Sequence, residues 1–232
     1  MTKLEVLPVV GIREIAAGDD LATLIVAAIA ADGWHLKNKD IVVVTHKVVS
    51  KQEGRVVEIP DEEAYRALVE DEAVRIVRRR GDLVITQTKH GFICANAAVD
   101  RSNVAEGYAI LLPVDPDRSA HRLRMLIEEQ TGTSIGVVIT DTFGRPWRRG
   151  LVDVAIGVSG VTSILDLRGT YDAHGNELNV TEVAVVDEIA AAADLVMGKA
   201  DQIPVAVVRG LDIVGQGRAS DLIRPPEEDL FR

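Results

Sequence analysis

The chain has 232 residues, a formal net charge of −10 and 47% hydrophobic residues, which is the composition of a globular protein. Its acidic charge excludes broad binding to nucleic acids or acidic membranes, because both depend on a basic face. The single cysteine, Cys94, excludes an internal disulfide and is expected to be a small buried side chain.

The first residues lack the basic region and long apolar core of a secretory signal. No stretch reaches the roughly 18 uncharged apolar residues that a membrane helix needs. These features predict a cytoplasmic protein.

Apolar runs, turn residues and helix caps predict the elements of the chain. In chain order they are a strand at Leu4–Val10, a helix at Leu21–Ala31 capped by Asp19 or Asp20, a strand at Ile41–Thr45, a helix at Asp61–Arg80, strands at Leu83–Thr88, Gly91–Ala95 and Tyr108–Leu112, a helix from Asp115-Pro116 to Gly132, strands at Ile135–Thr140 and Leu151–Val158, a helix at Thr181–Met197, and a strand at Ile203–Val208. Strands and helices mix without strict β-α-β alternation, which favours an α+β fold over a doubly wound sheet.

Two aspartates are candidate metal ligands. Asp141 follows the predicted strand Ile135–Thr140, and Thr142 next to it adds a hydroxyl oxygen. Hard oxygen ligands of this kind suit Mg²⁺ or Mn²⁺. Asp100 is an isolated acid in a mostly uncharged stretch. The alternative for Asp141 is a turn in which its carboxylate binds nearby backbone amides.

Basic side chains and glycines supply candidate anion sites. Arg145, Arg148 and Arg149 follow Asp141 closely and can clamp a phosphate or carboxylate, unless they form only a solvated basic loop. Glycines after the strand Ile203–Val208 can let backbone amides approach a phosphate, or can form a surface turn. Lys51 is either a phosphate ligand or a surface lysine.

Taken together, these segments resemble the coenzyme F-420 gamma-glutamyl ligase family. The resemblance covers about Leu4 to Gly217 and is specific because seven segments occur in the family's order. They are LPVVGI, GDDL, IVVVTHKVVSKQEGR, NAAVDRSNVAEG, ITDTFGRPWRRG, ELNVTEVAVVDEIAAAADLVMGKA and VVRGLDIVGQG.

The resemblance implies the family's unusual α+β fold of mixed sheets with flanking helices. It implies one ligase domain over residues 1–232, built as a single unit or as two intertwined subdomains, without the nitroreductase-like domain that some bacterial relatives carry. It also implies a homodimer.

The family joins L-glutamate to the lactate carboxylate of the deazaflavin precursor F-420-0 and extends a gamma-linked tail. It uses GTP with Mg²⁺ or Mn²⁺, and a monovalent cation such as K⁺ as helper. The expected mechanism activates the carboxylate as an acyl phosphate, which the glutamate amine then attacks. Two other functions stay open, a metal-dependent GTP phosphohydrolase and a non-catalytic nucleotide-binding module.

The resemblance also assigns residues to roles. The implied metal ligands are Asp100, Asp141, Thr142 and Gln216. The implied GTP contacts are Ile12, Arg13, Glu14, Ile15, His46, Lys51, Asn103, Gly210, Leu211, Asp212, Ile213, Val214, Gly215, Gln216 and Gly217. The arginines Arg145 and Arg148 are expected to hold substrate carboxylates or phosphate. Relatives usually carry a small residue where His46 stands and a basic residue where Asn176 stands, departures that bear on nucleotide preference more than on the reaction.

Overall fold

The computed structural model of the protein describes residues 3–199 and 201–230. Its elements in chain order are β1 (Glu5–Pro8), α1 (Leu21–Ala31), β2 (Ile41–Thr45), α2 (His46–Gln52), β3 (Val56–Glu58), α3 (Glu62–Glu72), β4 (Ala73–Arg80), β5 (Leu83–Thr88), β6 (Ile93–Ala95), β7 (Tyr108–Ile110), α4 (Pro116–Thr131), β8 (Gly136–Arg145), β9 (Arg148–Ser159), β10 (Leu165–Asp166), β11 (Glu182–Val183), α5 (Val185–Met197) and β12 (Val205–Arg209).

A five-stranded mixed sheet with the order β1-β12-β2-β8-β9 forms the centre of the fold. Strands β2 and β8 are parallel, and Thr45 at the end of β2 lies opposite Thr140. The other neighbours in this sheet are antiparallel. Smaller sheets pair β4-β5-β6, β3-β7 and β10-β11. The predicted α+β class is confirmed.

Hydrophobic side chains cover both faces of the central sheet, which explains why its strands read as continuous apolar runs. Val42 and Val44 point to the core that includes helices α1 and α4. Ile41 and Val43, one residue out of phase, point to the core built around α5. The alternation follows from the two-residue period of a strand.

Several predicted boundaries are confirmed, and the caps explain them. Helix α1 begins after Asp20, whose Oδ1 accepts a hydrogen bond from the Thr23 N–H at 3.0 Å. Helix α4 begins after Asp115, which caps the Arg118 N–H at 3.0 Å, and it ends at Gly132 in a left-handed conformation. Cys94 is buried, as expected. No helix within the described ranges has the length and apolar character needed to cross a membrane.

The predicted helix Asp61–Arg80 is wrong in its second half. Helix α3 ends at Glu72, and the chain continues as β4, which pairs with β5 in antiparallel fashion. The β-branched residues Val74, Ile76 and Val77 favour this extended structure, and the arginines lie on an exposed strand instead of at a helix end.

Other boundaries also differ from the sequence prediction. Helix α2, which follows β2 without a loop, was not predicted. Helix α5 starts at Val185 instead of Thr181. Strand β8 ends at Arg145 and strand β9 begins at Arg148. Their hairpin therefore continues past Thr140, where the pairing of β8 with β2 ends.

Candidate functional site

The candidate site lies at the edge of the central sheet where the parallel pairing of β2 with β8 ends. Thr45 and Thr140 are paired there, so the residues that follow them, His46 and Asp141, come out at the same edge. Ligands commonly bind outside the carboxyl ends of parallel strands. The topology therefore brings together two segments that are about a hundred residues apart in the sequence.

Asp141 has a carboxylate held in place from two sides. It lies inside β8, opposite Val154, and not after the end of a strand as the sequence suggested. Its Oδ1 accepts a hydrogen bond from the Thr142 N–H at 2.7 Å and lies 3.3 Å from Nε2 of His46. No hydrogen bond to its Oδ2 is found among the described residues, so this oxygen has lone pairs to offer a ligand.

The His46 ring supports Asp141 from inside the protein. Its side chain is completely buried, and its Nδ1 lies 3.4 Å from the Ser50 hydroxyl. Within the described part of the chain, Nε2 has no well-aligned hydrogen-bond partner. The neighbours Thr45 and Lys47 line the adjacent cavity and the buried His46 ring does not, so the expected nucleotide contact at His46 stays a prediction.

Asp153 on β9 joins this group and was not recognised in the sequence. One carboxylate oxygen accepts the Thr140 hydroxyl at 2.8 Å, and the other accepts the Thr142 hydroxyl at 2.6 Å. Burial raises the pKa of the Asp153 carboxyl, although the two hydroxyl bonds partly offset this. An aspartate inside a strand carries no motif that would have identified it.

Asp100 is engaged by the first turn of α2. Its Oδ2 forms an ion pair with Nζ of Lys47 at 2.8 Å, and its Oδ1 accepts the Ser102 N–H at 2.7 Å. Burial opposes ionisation, but the bonds from Lys47 and Ser102 prevail and lower the pKa of the Asp100 carboxyl. Asp100 and Asp141 thus contact successive residues of one helix, Lys47 and His46.

Asp141 and Asp153 line a hollow of about 300 Å³, called the Asp141 hollow below, whereas Asp100 and His46 do not line it. The expected residues that line it are Ile12, Arg13, Glu14, Ile15, Lys51, Asn103, Asp141 and Thr142. The structure therefore brings together residues from four separate parts of the chain that the sequence resemblance had assigned to one site.

The end of α5 forms a wall of the Asp141 hollow that the sequence interpretation missed. This wall contains Asp194, Gly198, Lys199 and Gln202. Gln202 has a positive φ of 56°, a conformation uncommon for a residue other than glycine. Gly198 was recognised as a helix stop, but a helix stop alone gives no sign that the following turn faces a site.

An ion pair crosses one side of the hollow. Nζ of Lys51 contacts Oε1 of Glu14 directly. The Lys51 side chain is 10% exposed, whereas that of Glu14 is 81% exposed. Lys51 is therefore a largely buried cation with an exposed partner, and not the ordinary surface lysine of the alternative interpretation.

The loop Gly210–Gly217 lies at the opposite end of the sheet. Its Ile213 carbonyl accepts the Thr162 N–H at 2.8 Å, next to the part of β9 that pairs with Val137. Asp141 lies four residues further along β8, about 13 Å away at the usual rise of a strand. The expectation that this loop joins Asp141 must be corrected, because a glycine pattern does not indicate at which end of a sheet it emerges.

Gln216 accordingly lies in a different cavity. It lines a hollow of about 820 Å³, called the Gln216 hollow below, together with Arg118, His121 and Arg218. Gln216 therefore does not approach Asp141 and Thr142, the expected metal ligands.

The arginines after Asp141 also lie away from the hollow. Strands β8 and β9 carry them to the tip of the hairpin, where Arg145 donates a hydrogen bond to the Arg149 carbonyl at 2.6 Å. Arg148 and Arg149 are exposed, and none of the three lines the Asp141 hollow. Within residues 3–199 and 201–230, neither Arg145 nor Arg148 contacts the candidate site, and their expected role with the substrate stays a prediction.

The oxygen ligands fit a divalent cation only in part. In the described chain, no group of three histidine, cysteine or carboxylate side chains is close enough to hold an ion by itself. Asp141 offers a free oxygen, and Thr142 offers hydroxyl lone pairs because its proton points to Asp153. Mg²⁺ usually takes one or two carboxylates together with substrate phosphates. The residues therefore suit an ion that arrives with a phosphate ligand.

Comparison with known proteins gives a consistent result. Residues 10–210 match the model of the family described as F420-0:gamma-glutamyl ligase. A protein named coenzyme F420:L-glutamate ligase in Methanocaldococcus jannaschii is 45% identical over 217 residues, covering 86% of this chain and 87% of the relative. Its namesake in Methanothermobacter thermautotrophicus is 41% identical over 249 residues, covering 99% of each chain. One in Methanopyrus kandleri is 43% identical and covers 99% of this chain and 98% of the relative.

Proposed function

The chain belongs to the F420-0:gamma-glutamyl ligase family, and on that premise we propose that the Asp141 hollow is where it catalyses its reaction. The reaction adds L-glutamate to coenzyme F420-0. We further propose that GTP, together with Mg²⁺ or Mn²⁺, drives this addition and the extension of a gamma-linked tail.

One observation carries the proposal. The Asp141 hollow places a largely buried lysine, Lys51, and an amide, Asn103, on the same cavity as the oxygen ligands Asp141 and Thr142. A cation and amide donors suit phosphate oxygens, and the oxygen ligands suit a hard metal ion. An acidic protein can therefore bind a triphosphate here through local positive groups and the ion that accompanies it.

The chemistry requires activation, because forming an amide from a free carboxylate is uphill in water. In the proposed reaction, the F420-0 carboxylate attacks the terminal phosphorus of GTP, which releases GDP and gives an acyl phosphate. The amine of glutamate then attacks the acyl carbon, loses a proton and displaces inorganic phosphate.

The protein's own groups position the reactants. Lys51 supplies a positive charge for phosphate oxygens once it gives up its contact with Glu14. Asp141 and Thr142 would hold the divalent ion, which when bound neutralises negative charge on the triphosphate. Asp100 can join them only if Lys47 releases its carboxylate.

The test is a reaction with F420-0, L-glutamate, GTP and Mn²⁺, analysed by mass spectrometry. We expect products heavier by whole glutamate residues. Losing an outer partner of a metal ligand costs up to about 100-fold. Asp141 is assigned as a ligand itself, so Asp141→Asn should lower the rate at least about 100-fold. The matched control is Asp212→Asn, because this exposed aspartate lies in the loop Gly210–Gly217 and should not affect ligation.

Other outcomes would contradict the proposal. Phosphate release at full rate without glutamate would favour a GTP phosphohydrolase. GTP binding without turnover of any carboxylate acceptor would favour a nucleotide-binding module. Loss of activity in Asp212→Asn but not in Asp141→Asn would move the site to the loop Gly210–Gly217.

We also propose a homodimer, for which the hairpin β8–β9 gives support. Beyond the central sheet, its Trp147 is 80% exposed and its Leu151 is 60% exposed. Exposed apolar side chains on a projecting hairpin suit burial against a second copy. Sedimentation equilibrium should give twice the mass of 25.1 kDa of one chain. A mass of one chain at micromolar concentration would contradict the proposal.

A further inference from the structure

The buried carboxylate of Asp153 is unusual because it faces two hydroxyl groups and no cation. Its residue is 4% exposed. Its two oxygens accept the hydroxyls of Thr140 and Thr142 at 2.8 Å and 2.6 Å, and no ion pair with it is found among the described residues. Burying a carboxylate without a cation is costly, so a stability argument alone favours an apolar side chain here.

An irregularity in the strand pairing creates this arrangement. Ile139 pairs with Gly157, but the next residue, Thr140, pairs with Ala155, so β9 contains one extra residue at this point. A one-residue shift exchanges the faces to which side chains point. The shift places Asp153 directly across from Thr142, and without it Val154 would stand there.

The hydrogen bond from Thr142 decides which part of its hydroxyl faces the Asp141 hollow. The Thr142 hydroxyl donates its hydrogen bond to Oδ1 of Asp153, so the Thr142 proton points to Asp153. The lone pairs of the hydroxyl oxygen are then left for the hollow that Thr142 lines. A freely rotating hydroxyl can instead direct its proton towards the position of a cation and repel it.

We propose that Asp153 is a positioning residue that fixes the Thr142 hydroxyl with its lone pairs towards a divalent cation in the Asp141 hollow. Asp153 acts through Thr142, and Thr140 anchors its second oxygen. This inference rests on the proposed function, since it names how one ligand of that site is oriented.

The experiment measures Mn²⁺ binding to the purified protein by the loss of the free-ion electron paramagnetic resonance signal. We expect Asp153→Asn to weaken Mn²⁺ binding about tenfold, the size typical of lost outer-shell partners. Thr142→Val should cost about the same, whereas Thr142→Ser, which keeps the hydroxyl, should stay within about twofold of the wild type. Asp153→Ser serves as a second variant, expected to weaken binding as Asp153→Asn does.

A double variant separates positioning from direct ligation. If Asp153 acts through Thr142, Thr142→Val with Asp153→Asn should bind Mn²⁺ no more than about twofold worse than Thr142→Val alone. Losses that multiply to about 100-fold would show that Asp153 ligates the ion itself, and would overturn the inference. Thr140→Val removes the hydroxyl bond to the second oxygen of Asp153 and should weaken Mn²⁺ binding less than Thr142→Val does, because the Thr142 hydroxyl remains in place.

The same variants distinguish this inference from the proposed function. If Asp153→Asn binds Mn²⁺ as tightly as the wild type, while the wild type ligates glutamate and Asp141→Asn does not, only the inference is overturned. If the wild type neither binds Mn²⁺ nor ligates glutamate, the proposed function and the inference are both overturned.

Discussion

Replacing Glu14 by glutamine should strengthen GTP binding, although Glu14 lines the Asp141 hollow. Its carboxylate contacts Lys51, the largely buried cation that we assign to the phosphates. A triphosphate has to compete with this carboxylate for Lys51. Glu14→Gln keeps the size of the side chain and removes the competing charge.

The size of the effect follows from the exposure of the pair. The Glu14 side chain is 81% exposed, so the ion pair contributes no more than about 1 kcal/mol. Removing it should lower the Kd for GTP by about twofold to fivefold, since 1.4 kcal/mol corresponds to a factor of ten. Lys51→Met, which removes the cation itself, should instead raise the Kd about tenfold or more, because hydrogen bonds to charged groups contribute about 1.5–3 kcal/mol.

Isothermal titration calorimetry with GTP and Mg²⁺ measures both changes. Glu63→Gln is the matched control, because it makes the same change in net charge in the first turn of α3, outside the Asp141 hollow. The gain in Glu14→Gln should shrink at higher salt, since salt screens exposed charges. Binding that is fivefold weaker in Glu14→Gln would refute this reasoning and make Glu14 a direct nucleotide contact.

Three further predictions concern stability and reactivity. Gly157→Ala should lower the free energy of unfolding, measured by urea titration, by about 1–3 kcal/mol, because a Cβ there would lie 2.4 Å from the Pro116 carbonyl oxygen. Gly144→Ala is the control and should change this free energy little, because a Cβ at Gly144 meets nothing within 4 Å. Burial raises the pKa of the Cys94 thiol to about 12, so iodoacetamide at about pH 8 should label Cys94 only in the unfolded protein, and labelling of the native protein would show that the site opens. Burial also raises the pKa of the Asp187 carboxyl above its unfolded value of about 3.9. The protonated carboxyl therefore contributes its full stabilisation below about pH 3.9, and this stabilisation is lost as the pH rises through the folded-state pKa. Asp187→Asn should flatten this fall in acid-range denaturation curves, and an unchanged slope would contradict the assignment.

The sequence predicts those parts of the fold that local chemistry determines. Helix α1 and strand β2 have the predicted bounds, because an N-cap, an apolar stripe and a β-branched run act locally. Helix α2 was missed because His46 follows β2 directly and Val48 and Val49 favour a strand by propensity. Packing of these valines under β2 and β8 overrides that preference.

The sequence predicts the position of a site residue where that position depends on the residue's own strand. It does not predict the position where it depends on how two strands pair. Asp141 comes out at the carboxyl edge because β2 and β8 are buried parallel strands. Asp153 reaches Thr142 only through the extra residue in β9, which no sequence pattern announces. The loop Gly210–Gly217 and the turn at Gln202 both follow helix or strand ends, and only the topology shows which of them faces Asp141.

The central claim is that the Asp141 hollow, and not the Gln216 hollow, holds the metal and the nucleotide. A crystal grown with Mn²⁺ and a non-hydrolysable GTP analogue tests it through the anomalous signal of manganese. A peak within bonding distance of the Asp141 carboxylate and the Thr142 hydroxyl, next to phosphates that contact Lys51, is the expected result. A manganese peak beside Gln216 with Asp141 unligated would contradict it.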